Sequence, residues 1–314
     1  MNDPKSLLLP EEGPIVPDSW HDVASAIEGE RGTIMVVGGT DTGKTVLAWW
    51  LAERLAERDS AAVVDADLGQ SMLGPPGTVG WREIGGGREE FVFVGVVSPA
   101  GRPLGAAMAT WRAAQRAGEA AAWVVLDTSG YVDGSGAIAL KRGKMDLVSP
   151  TDVILIEDEP GRLEAIARAV RPGETRLHRL QPTPADAKSP SFRQRWRQER
   201  FGEYMQGAEV REISLRERAV YGGRPWVWGG SWAQIAERLR GLLIGLSDAR
   251  GMGLAIGLLR EVEDEGETLH VLTPLGKRES PGEDTESPRG LDDVAAVGLG
   301  TVRLREDGTQ IREE

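Results

Sequence analysis

The chain has 314 residues and a formal net charge of −12, with 40% hydrophobic and 27% charged residues. This composition is typical of a folded globular protein and excludes an intrinsically disordered one. The absence of cysteine excludes disulfides, thiolate zinc sites and cysteine nucleophiles. No run of about 18 apolar residues occurs, so we predict no membrane-spanning helix and no membrane partner, and we expect a soluble cytoplasmic protein.

Strands and helices alternate through the first part of the chain. Short apolar runs predict buried strands, and apolar residues at helical spacing predict the helices between them. The predicted strands are 33–37, 61–64, 91–94, 121–126, 153–156 and 175–180, and the predicted helices are 19–27, 46–58, 103–116 and 161–170. This alternation predicts an α/β fold with a mostly parallel sheet and helices on both faces.

The pattern changes after about residue 186. The sequence predicts a basic helix with little apolar face over 190–205, then short strands at 209–215, 226–228, 242–246, 254–259, 268–272 and 297–304, with a helix at 231–240 and a polar loop over 276–290. We therefore predict an α/β domain over 1–206, with a lid at about 188–205, and a smaller β-rich domain over 207–314.

The segment GGTDTGKT at residues 38–45 fits the Walker A pattern G-x-x-x-x-G-K-[ST] and lies between a predicted strand and a predicted helix. Such a loop wraps backbone N–H groups around phosphate oxygens, so we predict a P-loop NTPase-type fold. In this loop Lys44 reaches the β- and γ-phosphates, and the Thr45 hydroxyl holds Mg²⁺. The sequence lacks the [NT]-K-x-D motif that reads guanine, so ATP is the predicted nucleotide. The predicted nucleotide-binding residues are Gly39, Thr40, Asp41, Thr42, Gly43, Lys44, Thr45 and Val46.

Carboxylates follow two of the predicted strands. Asp65 and Asp67 end the strand at 61–64, and Asp127 ends the strand at 121–126. Carboxylates at the ends of parallel strands lie in the crevice where such sheets bind ligands. Asp67 is a candidate to deprotonate an attacking hydroxyl or to bind Mg²⁺, and Asp127 is a second candidate Mg²⁺ ligand. For Asp65 a structural role and a functional role are equally compatible with the sequence.

Polar and aromatic residues beside these carboxylates are candidates for binding a substrate. Gln70 offers both a donor and an acceptor, and Thr128 and Tyr131 lie in the turn after Asp127. Tyr131 is a candidate for stacking on a base. Trp20 is a weaker candidate for covering the adenine.

The helix predicted at 190–205 is the strongly cationic part of this acidic chain. Arg193, Arg197 and Arg200 are spaced i, i+4, i+7, so one helical face carries three guanidinium groups. Such a face can hold a transferring phosphoryl group or a nucleic-acid backbone, and a solvated surface helix is the alternative.

Together these motifs resemble the polynucleotide 5′-hydroxyl kinase family, which includes the RNA kinase subunit of the pre-mRNA cleavage complex, pre-rRNA-processing kinases and prokaryotic relatives. The resemblance rests on the P-loop at 38–45, D-x-G-Q at 67–70, Pro-Gly-Thr at 76–78, T-x-G-aromatic at 128–131 and the lid pattern from Lys188 to Tyr204. It covers roughly residues 30–260.

The resemblance implies that the chain transfers the γ-phosphate of ATP to the 5′-OH of an RNA or DNA oligonucleotide, with Mg²⁺. It implies catalytic roles for Lys44, Asp67, Arg193 and Arg197, with Thr45, Asp67 and Asp127 at the metal. The implied substrate contacts are Gln70, Thr128, Tyr131, Lys188 and Arg200. Tyr131 replaces the usual tryptophan of the family, and Lys188 replaces the usual arginine and loses its bidentate geometry.

Two other functions stay open at this point. One is an ATP-dependent RNA-processing assembly factor with little catalysis, and the other is a small-molecule kinase or ligase of the same fold. No obligate protein partner is evident from the sequence.

Overall fold

The computed structural model describes residues 16–27, 31–183, 189–222, 232–263, 267–276 and 290–311. The chain divides into two compact units. The first lies within Met1–Gly74, Val79–Glu90 and Ser98–Ser189, and the second lies within Pro75–Thr78, Phe91–Val97 and Pro190–Glu314.

The first part of the chain alternates strands with helices, as the apolar periodicity predicts. Its elements in chain order are α1 (Asp18–Ala26), β1 (Gly32–Gly38), α2 (Lys44–Ala56), β2 (Ala61–Ala66), β3 (Thr78–Glu83), β4 (Glu89–Phe93), α3 (Pro103–Ala120), β5 (Trp123–Thr128), α4 (Ser135–Val148), β6 (Asp152–Ile156), α5 (Glu164–Ala167) and β7 (Arg176–Leu180).

The strands form one seven-stranded sheet in the order β4-β3-β2-β5-β1-β6-β7. The run from β2 to β7 is parallel, while β3 is antiparallel to β2. Because parallel strands end at the same edge, the segments that follow β1, β2 and β5 are neighbours there. In this register Asp127 lies opposite Val36 on one side and opposite Asp65 on the other.

Both faces of this sheet are covered by helices. On one face Val36 and Val125 pack in a core with Leu47 and Leu51 of α2. Side chains alternate along a strand, so Thr128 points to the opposite face, where it contacts α4. The predicted α/β class, with a mostly parallel sheet and helices on both faces, is confirmed.

The second unit contains a β sheet of its own. Its elements are α6 (Pro190–Tyr204), β8 (Glu209–Ser214), β9 (Ala219–Tyr221), α7 (Trp232–Leu239), β10 (Leu242–Ser247), β11 (Gly253–Glu263), β12 (Thr268–Thr273) and β13 (Ala296–Arg303). The strand order is β8-β12-β11-β10-β13-β9, antiparallel except for β9 beside β13. The predicted β-rich C-terminal region is confirmed.

Helix α6, the predicted basic helix, has a buried apolar side, whereas the sequence predicts little apolar face. Phe201 is 1% exposed and packs with Met205 and Ile256 in a core of the second unit. The Tyr204 hydroxyl accepts a hydrogen bond from the N–H of Ile256 at 3.0 Å. The helix is therefore anchored to the second unit, although the sequence predicts it as a lid at the end of the domain over 1–206.

Several elements differ from the prediction. Strand β3 and helix α4 were not predicted, and α5 spans Glu164–Ala167 where a helix over 161–170 was predicted. The predicted strand at 226–228 and most of the predicted loop at 276–290 lie outside the described residues. No helix in the described part of the chain is both long and apolar enough to cross a membrane.

A buried carboxylate joins β6 to β7 at the amino end of the parallel strands. Asp152 is 0% exposed and accepts two hydrogen bonds from Arg176, at 2.8 and 2.9 Å, and is 2.8 Å from His178 Nε2. Burial raises the pKa of Asp152, but the bonds from His178 and Arg176 outweigh it and lower the pKa to about 2.

We expect Asp152→Asn to lower the free energy of unfolding by about 2 kcal/mol at pH 7, because the unfolded carboxyl binds a proton more tightly than the folded one. This contribution is fully present above the unfolded pKa near 4 and is lost as the pH falls toward 2. Urea unfolding across pH 7 to 3 measures it. The exposed Asp146→Asn variant, which loses surface pairs with Arg171 and Arg142, is the control and should change stability by less than about 0.5 kcal/mol. A pH-independent difference between wild type and Asp152→Asn would contradict this assignment.

Candidate active site

The loop between β1 and α2 has its lysine folded back onto it. Lys44 is 7% exposed, and its Nζ donates a hydrogen bond to the carbonyl of Gly39. The Thr42 hydroxyl donates to the same carbonyl at 3.0 Å. Gly43 precedes the first turn of α2, so the loop leads directly into a helix N-terminus, which attracts phosphate.

The turn after β5 lies directly against this loop. A Cβ atom on Gly130 would lie 2.6 Å from the hydroxyl oxygen of Thr40 and 2.8 Å from its backbone nitrogen and Cα. Contacts this short mean that the two backbones touch, and only glycine fits at the contact. The tertiary structure therefore places the Thr128–Tyr131 turn beside the P-loop.

Asp65 organises the segment that carries Asp67. Its carboxylate accepts hydrogen bonds from the backbone N–H groups of Asp67 at 3.0 Å, Met72 at 2.5 Å and Leu73 at 3.3 Å. Asp65 is 2% exposed, so its role here is structural. Asp67 is partly exposed, and its Oδ1 accepts from the N–H groups of Gly69 at 2.9 Å and Gln70 at 3.2 Å. These bonds hold the Asp67 carboxylate in one orientation.

Three lysines and four aspartates of the first unit interact electrostatically at this edge of the sheet: Lys44, Lys141, Lys144, Asp41, Asp65, Asp67 and Asp127. Burial lowers the pKa of Lys44, while the negative charges of Asp127, Asp67 and Asp41 raise it. The burial of Asp127 raises the pKa of its carboxyl group to about 6, although the charge of Lys44 and the Thr45 hydroxyl both lower it. The charges of Asp67, the candidate catalytic base, and of Asp127, the candidate Mg²⁺ ligand, thus both act on the P-loop lysine.

Two of these lysines come from α4, the helix that was not predicted. Lys141 and Lys144 are both 0% exposed. Burial lowers the pKa of Lys144 to about 8, while Asp67, Asp127 and Asp65 raise it. The buried side of α4 is one helical stripe that consists of Ala137, Leu140, Lys141, Lys144 and Met145. Their helical spacing could therefore have predicted that these two lysines face the core.

The residues predicted to hold Mg²⁺ fit a hard cation. Asp127 is 1% exposed, and its Oδ1 has no hydrogen-bond partner within the described structure. The Thr45 hydroxyl of the P-loop lowers the pKa of this carboxyl group, so the two side chains act on each other. No set of three or more acidic or histidine side chains in the described ranges forms a metal site by itself. Mg²⁺ commonly uses one or two carboxylates together with substrate phosphates, so Thr45 and Asp127, with Asp67 near them, suit it.

The predicted substrate-binding residues have different surroundings. Gln70 and Tyr131 are partly exposed, as a ligand contact requires. Thr128 is 0% exposed, and its hydroxyl donates to the carbonyl of Val36 at 2.8 Å and accepts from Lys141. The Thr128 side chain is therefore committed to the protein rather than offered to a substrate.

The candidate adenine contact is wrong for a physical reason. Trp20 is 1% exposed and packs against Trp50 with ring centroids 5.5 Å apart. A buried indole cannot offer a face to a base.

The arginines predicted for the lid lie on α6 in the second unit. Arg193 and Arg197 are partly exposed. Arg200 is more enclosed, with 12% of its side chain exposed, and lies 3.7 Å from Glu203. Lys188 lies outside the described residues.

Arg162 is a further residue that sequence reasoning missed. Its guanidinium donates to Asp133 at 2.8 Å and to Asp158 at 2.5 Å. The same group lies 3.5 Å from the position of a Cβ on Gly39. Arg162 therefore ties the loops after β5 and β6 to the start of the P-loop, a link that no local pattern announces.

Comparison with known proteins adds a family and several relatives. The family model described as "mRNA cleavage and polyadenylation factor CLP1 P-loop" matches residues 38–207. The polyribonucleotide 5′-hydroxyl-kinase of Thermococcus kodakarensis is 26% identical, over 89% of this chain and 90% of the relative. The enzyme of that name from Pyrococcus furiosus is also 26% identical, over 88% and 89%. That from Methanocaldococcus jannaschii is 23% identical, over 94% of each chain.

A solved structure shares the fold. The structure of wild-type Clp1p in complex with Pcf11p aligns with a TM-score of 0.62 and 13% identity, over 93% of this chain and 80% of that one.

We expect Gly130→Ala to raise the Kd for ATP roughly tenfold or more, because the new Cβ meets backbone atoms of Thr40 that cannot move without distorting the P-loop. Isothermal titration calorimetry with a non-hydrolysable ATP analogue measures the change. Gly118→Ala in α3, where the nearest atom is 4.0 Å away, is the matched control. Wild-type affinity in Gly130→Ala would show that the turn does not support the loop.

Proposed function

The chain belongs to the CLP1 P-loop family, and from this premise we propose that it is an ATP-dependent polynucleotide 5′-hydroxyl kinase acting on RNA. The archaeal relatives named polyribonucleotide 5′-hydroxyl-kinase align over most of their length, which supports RNA as the substrate. The family resemblance of the P-loop, D-x-G-Q and T-x-G-aromatic segments supports the same reaction.

One observation carries the proposal: the sheet register brings the two acidic strand ends to the P-loop. Asp127 lies opposite Val36 of the strand that leads into the loop, and opposite Asp65, whose carboxylate holds the segment that carries Asp67. A phosphate-binding loop alone identifies a nucleotide site and no reaction. A partly exposed, oriented carboxylate beside that loop adds a group that can accept a proton from an attacking hydroxyl. Phosphoryl transfer needs mainly positioning and charge stabilisation, so these parts suffice.

Each residue then has a defined task. The N-terminus of α2 and Lys44 bind the phosphates, and Asp67 orients the 5′-hydroxyl and accepts its proton. The Thr45 hydroxyl and Asp127 would hold Mg²⁺, which would supply positive charge to stabilise the phosphates. Because Asp67 Oδ1 already accepts two backbone N–H bonds, the carboxylate cannot rotate freely away from the hydroxyl.

The remaining assignments concern the substrate and the lid. Gln70 contacts the RNA strand, and Tyr131 stacks on its terminal base, a contact worth about 1–3 kcal/mol per base. Arg193 and Arg197 stabilise the transferring phosphoryl group, with Lys188 and Arg200 as further substrate contacts. In this proposal residues 1–206 act together as the kinase, and the lid helix α6 is held by the β-rich region of the second unit, in whose core Phe201 and Met205 pack.

We expect Asp67→Asn to lower kcat for phosphorylation of a 5′-OH RNA oligonucleotide by about 10²- to 10⁴-fold, because the variant cannot accept the proton. ATP should still bind to it. Lys44→Ala should lose both ATP binding and transfer. The assay uses γ-labelled ATP with matched RNA and DNA oligonucleotides and with a mononucleoside, and Asp22→Asn on the exposed side of α1 is the control. Preference for the mononucleoside would favour a small-molecule kinase, and no transfer to any acceptor would favour an assembly factor.

We expect Arg193→Ala and Arg197→Ala each to lower kcat by roughly 10³-fold or more, on the scale of arginines that stabilise phosphoryl transfer in other enzymes. The Kd for ATP should stay near the wild-type value. Arg195→Ala removes an exposed arginine from the same helix and matches the change in charge, so it should retain wild-type turnover. If all three variants turn over equally, α6 does not supply the lid.

A further inference from the structure

Helix α4 carries a buried lysine that the proposed chemistry does not use. Lys141 is 0% exposed, and its Nζ donates to Thr128 Oγ1 at 2.8 Å and to the carbonyl of Ser129 at 2.6 Å. An amine inside a protein is unfavourable unless its hydrogen bonds are made. These two bonds therefore fix the backbone of the turn after β5 to the middle of α4.

The same turn is fixed from its other side. The Thr128 hydroxyl donates to the carbonyl of Val36 in β1, and Gly130 touches the backbone of Thr40 in the P-loop. A continuous chain of contacts thus runs from α4 through the turn to the nucleotide-binding loop. Movement of Lys141 would be transmitted to the residue that ends the turn, Tyr131.

Tyr131 also rests on the first turn of α4. A Cβ on Gly136 would lie 2.8 Å from the Tyr131 hydroxyl oxygen and 3.9 Å from its Cζ. Glycine weakens a helix relative to alanine. Here its missing side chain leaves room for the tyrosine hydroxyl. The ring is partly exposed, so one part packs on α4 while another faces solvent.

We propose that Lys141 and Gly136 are positioning residues that set where the Tyr131 ring stands relative to the P-loop, and so set the affinity for the terminal nucleotide of the RNA. This inference rests on the proposed kinase function. Stacking holds a base only when the ring lies parallel to it at van der Waals distance, so a small displacement of the ring weakens the contact.

The first test is Gly136→Ala, whose methyl group must push the Tyr131 hydroxyl aside. We expect the KM for a 5′-OH RNA oligonucleotide to rise about fivefold, the lower end of the effect of losing one stacked base. The KM for ATP should stay the same. The melting temperature should stay the same or rise, because alanine has a higher helix propensity than glycine. Gly143→Ala, on the same helix with no atom near its Cβ, is the matched control and should leave the RNA KM unchanged.

A double-mutant cycle separates this contact from a general effect on α4. Tyr131→Phe removes the hydroxyl that the new methyl group would meet. Gly136→Ala should therefore have no further effect on the RNA KM in the Tyr131→Phe background. An equal effect of Gly136→Ala in both backgrounds would overturn the proposal.

The second test is Lys141→Met, which removes both hydrogen bonds and keeps an unbranched side chain. We expect the RNA KM to rise at least fivefold, on the order of one lost stacked base, and by a larger factor than the ATP KM. Arg142→Met, one residue away with 70% of its side chain exposed, is the control. If Lys141→Met raises the KM for RNA and the KM for ATP by the same factor, Lys141 has a purely structural role and its assignment as a positioning residue is overturned.

Direct binding of the oligonucleotide, measured by fluorescence anisotropy, distinguishes a failure of the kinase function from a failure of the positioning role. Wild-type binding without phosphoryl transfer would overturn the kinase function alone, and the variants would still test the positioning by their Kd. Transfer by wild type with unchanged Kd and KM in Gly136→Ala and Lys141→Met would overturn the positioning alone. A wild-type chain that neither binds nor phosphorylates RNA would overturn both.

Discussion

The balance of buried charge at the carboxyl edge of the parallel sheet constrains the rest of the first unit. Asp65 and Asp127 are buried at the ends of neighbouring strands, and Lys44, Lys141 and Lys144 are buried near them. Moving an ion out of water costs several kcal/mol even after the protein relaxes, so such groups persist only when opposite charges or hydrogen bonds surround them. Lys141 of α4 meets this requirement with its hydrogen bonds to Thr128 and to the carbonyl of Ser129, and these bonds tie the helix to the turn after β5.

This constraint explains why structural and functional roles overlap at the site. Asp65 gives its oxygens to three backbone N–H groups and thereby shapes the segment that presents Asp67. The Thr128 hydroxyl donates a hydrogen bond to Val36 in the sheet and accepts one from Lys141, so its role in the site is to hold the turn that carries Tyr131. The buried Asp65 thus orients the Asp67 carboxylate, and the buried Thr128 holds the turn that presents the partly exposed Tyr131 ring.

The second unit shows how an acidic chain can carry a cationic helix. Helix α6 is rich in arginine. Phe201 and Met205 anchor it in an apolar core, and the Tyr204 hydroxyl accepts a hydrogen bond from the backbone of β11. An anchored helix loses less conformational entropy when its side chains bind a ligand than a free segment would. A net charge of −12 over the whole chain is compatible with a local basic surface, because salt limits the range over which exposed charges interact to about 10 Å.

Local signals in the sequence determined the alternation of strands and helices, the P-loop and the two carboxylate-bearing strand ends, because each depends on residues close together in the chain. Strand β3 was missed because TVGWRE mixes glycine and charged residues with apolar ones, and α4 was missed because lysines interrupt its apolar stripe. Contacts between distant segments were decided only by the tertiary structure: Thr128 with Val36, 92 residues away, and Gly130 with Thr40. Whether a lysine faces solvent or a buried carboxylate depends on how the strands are ordered in the sheet, and strand order is a property of the whole folded chain.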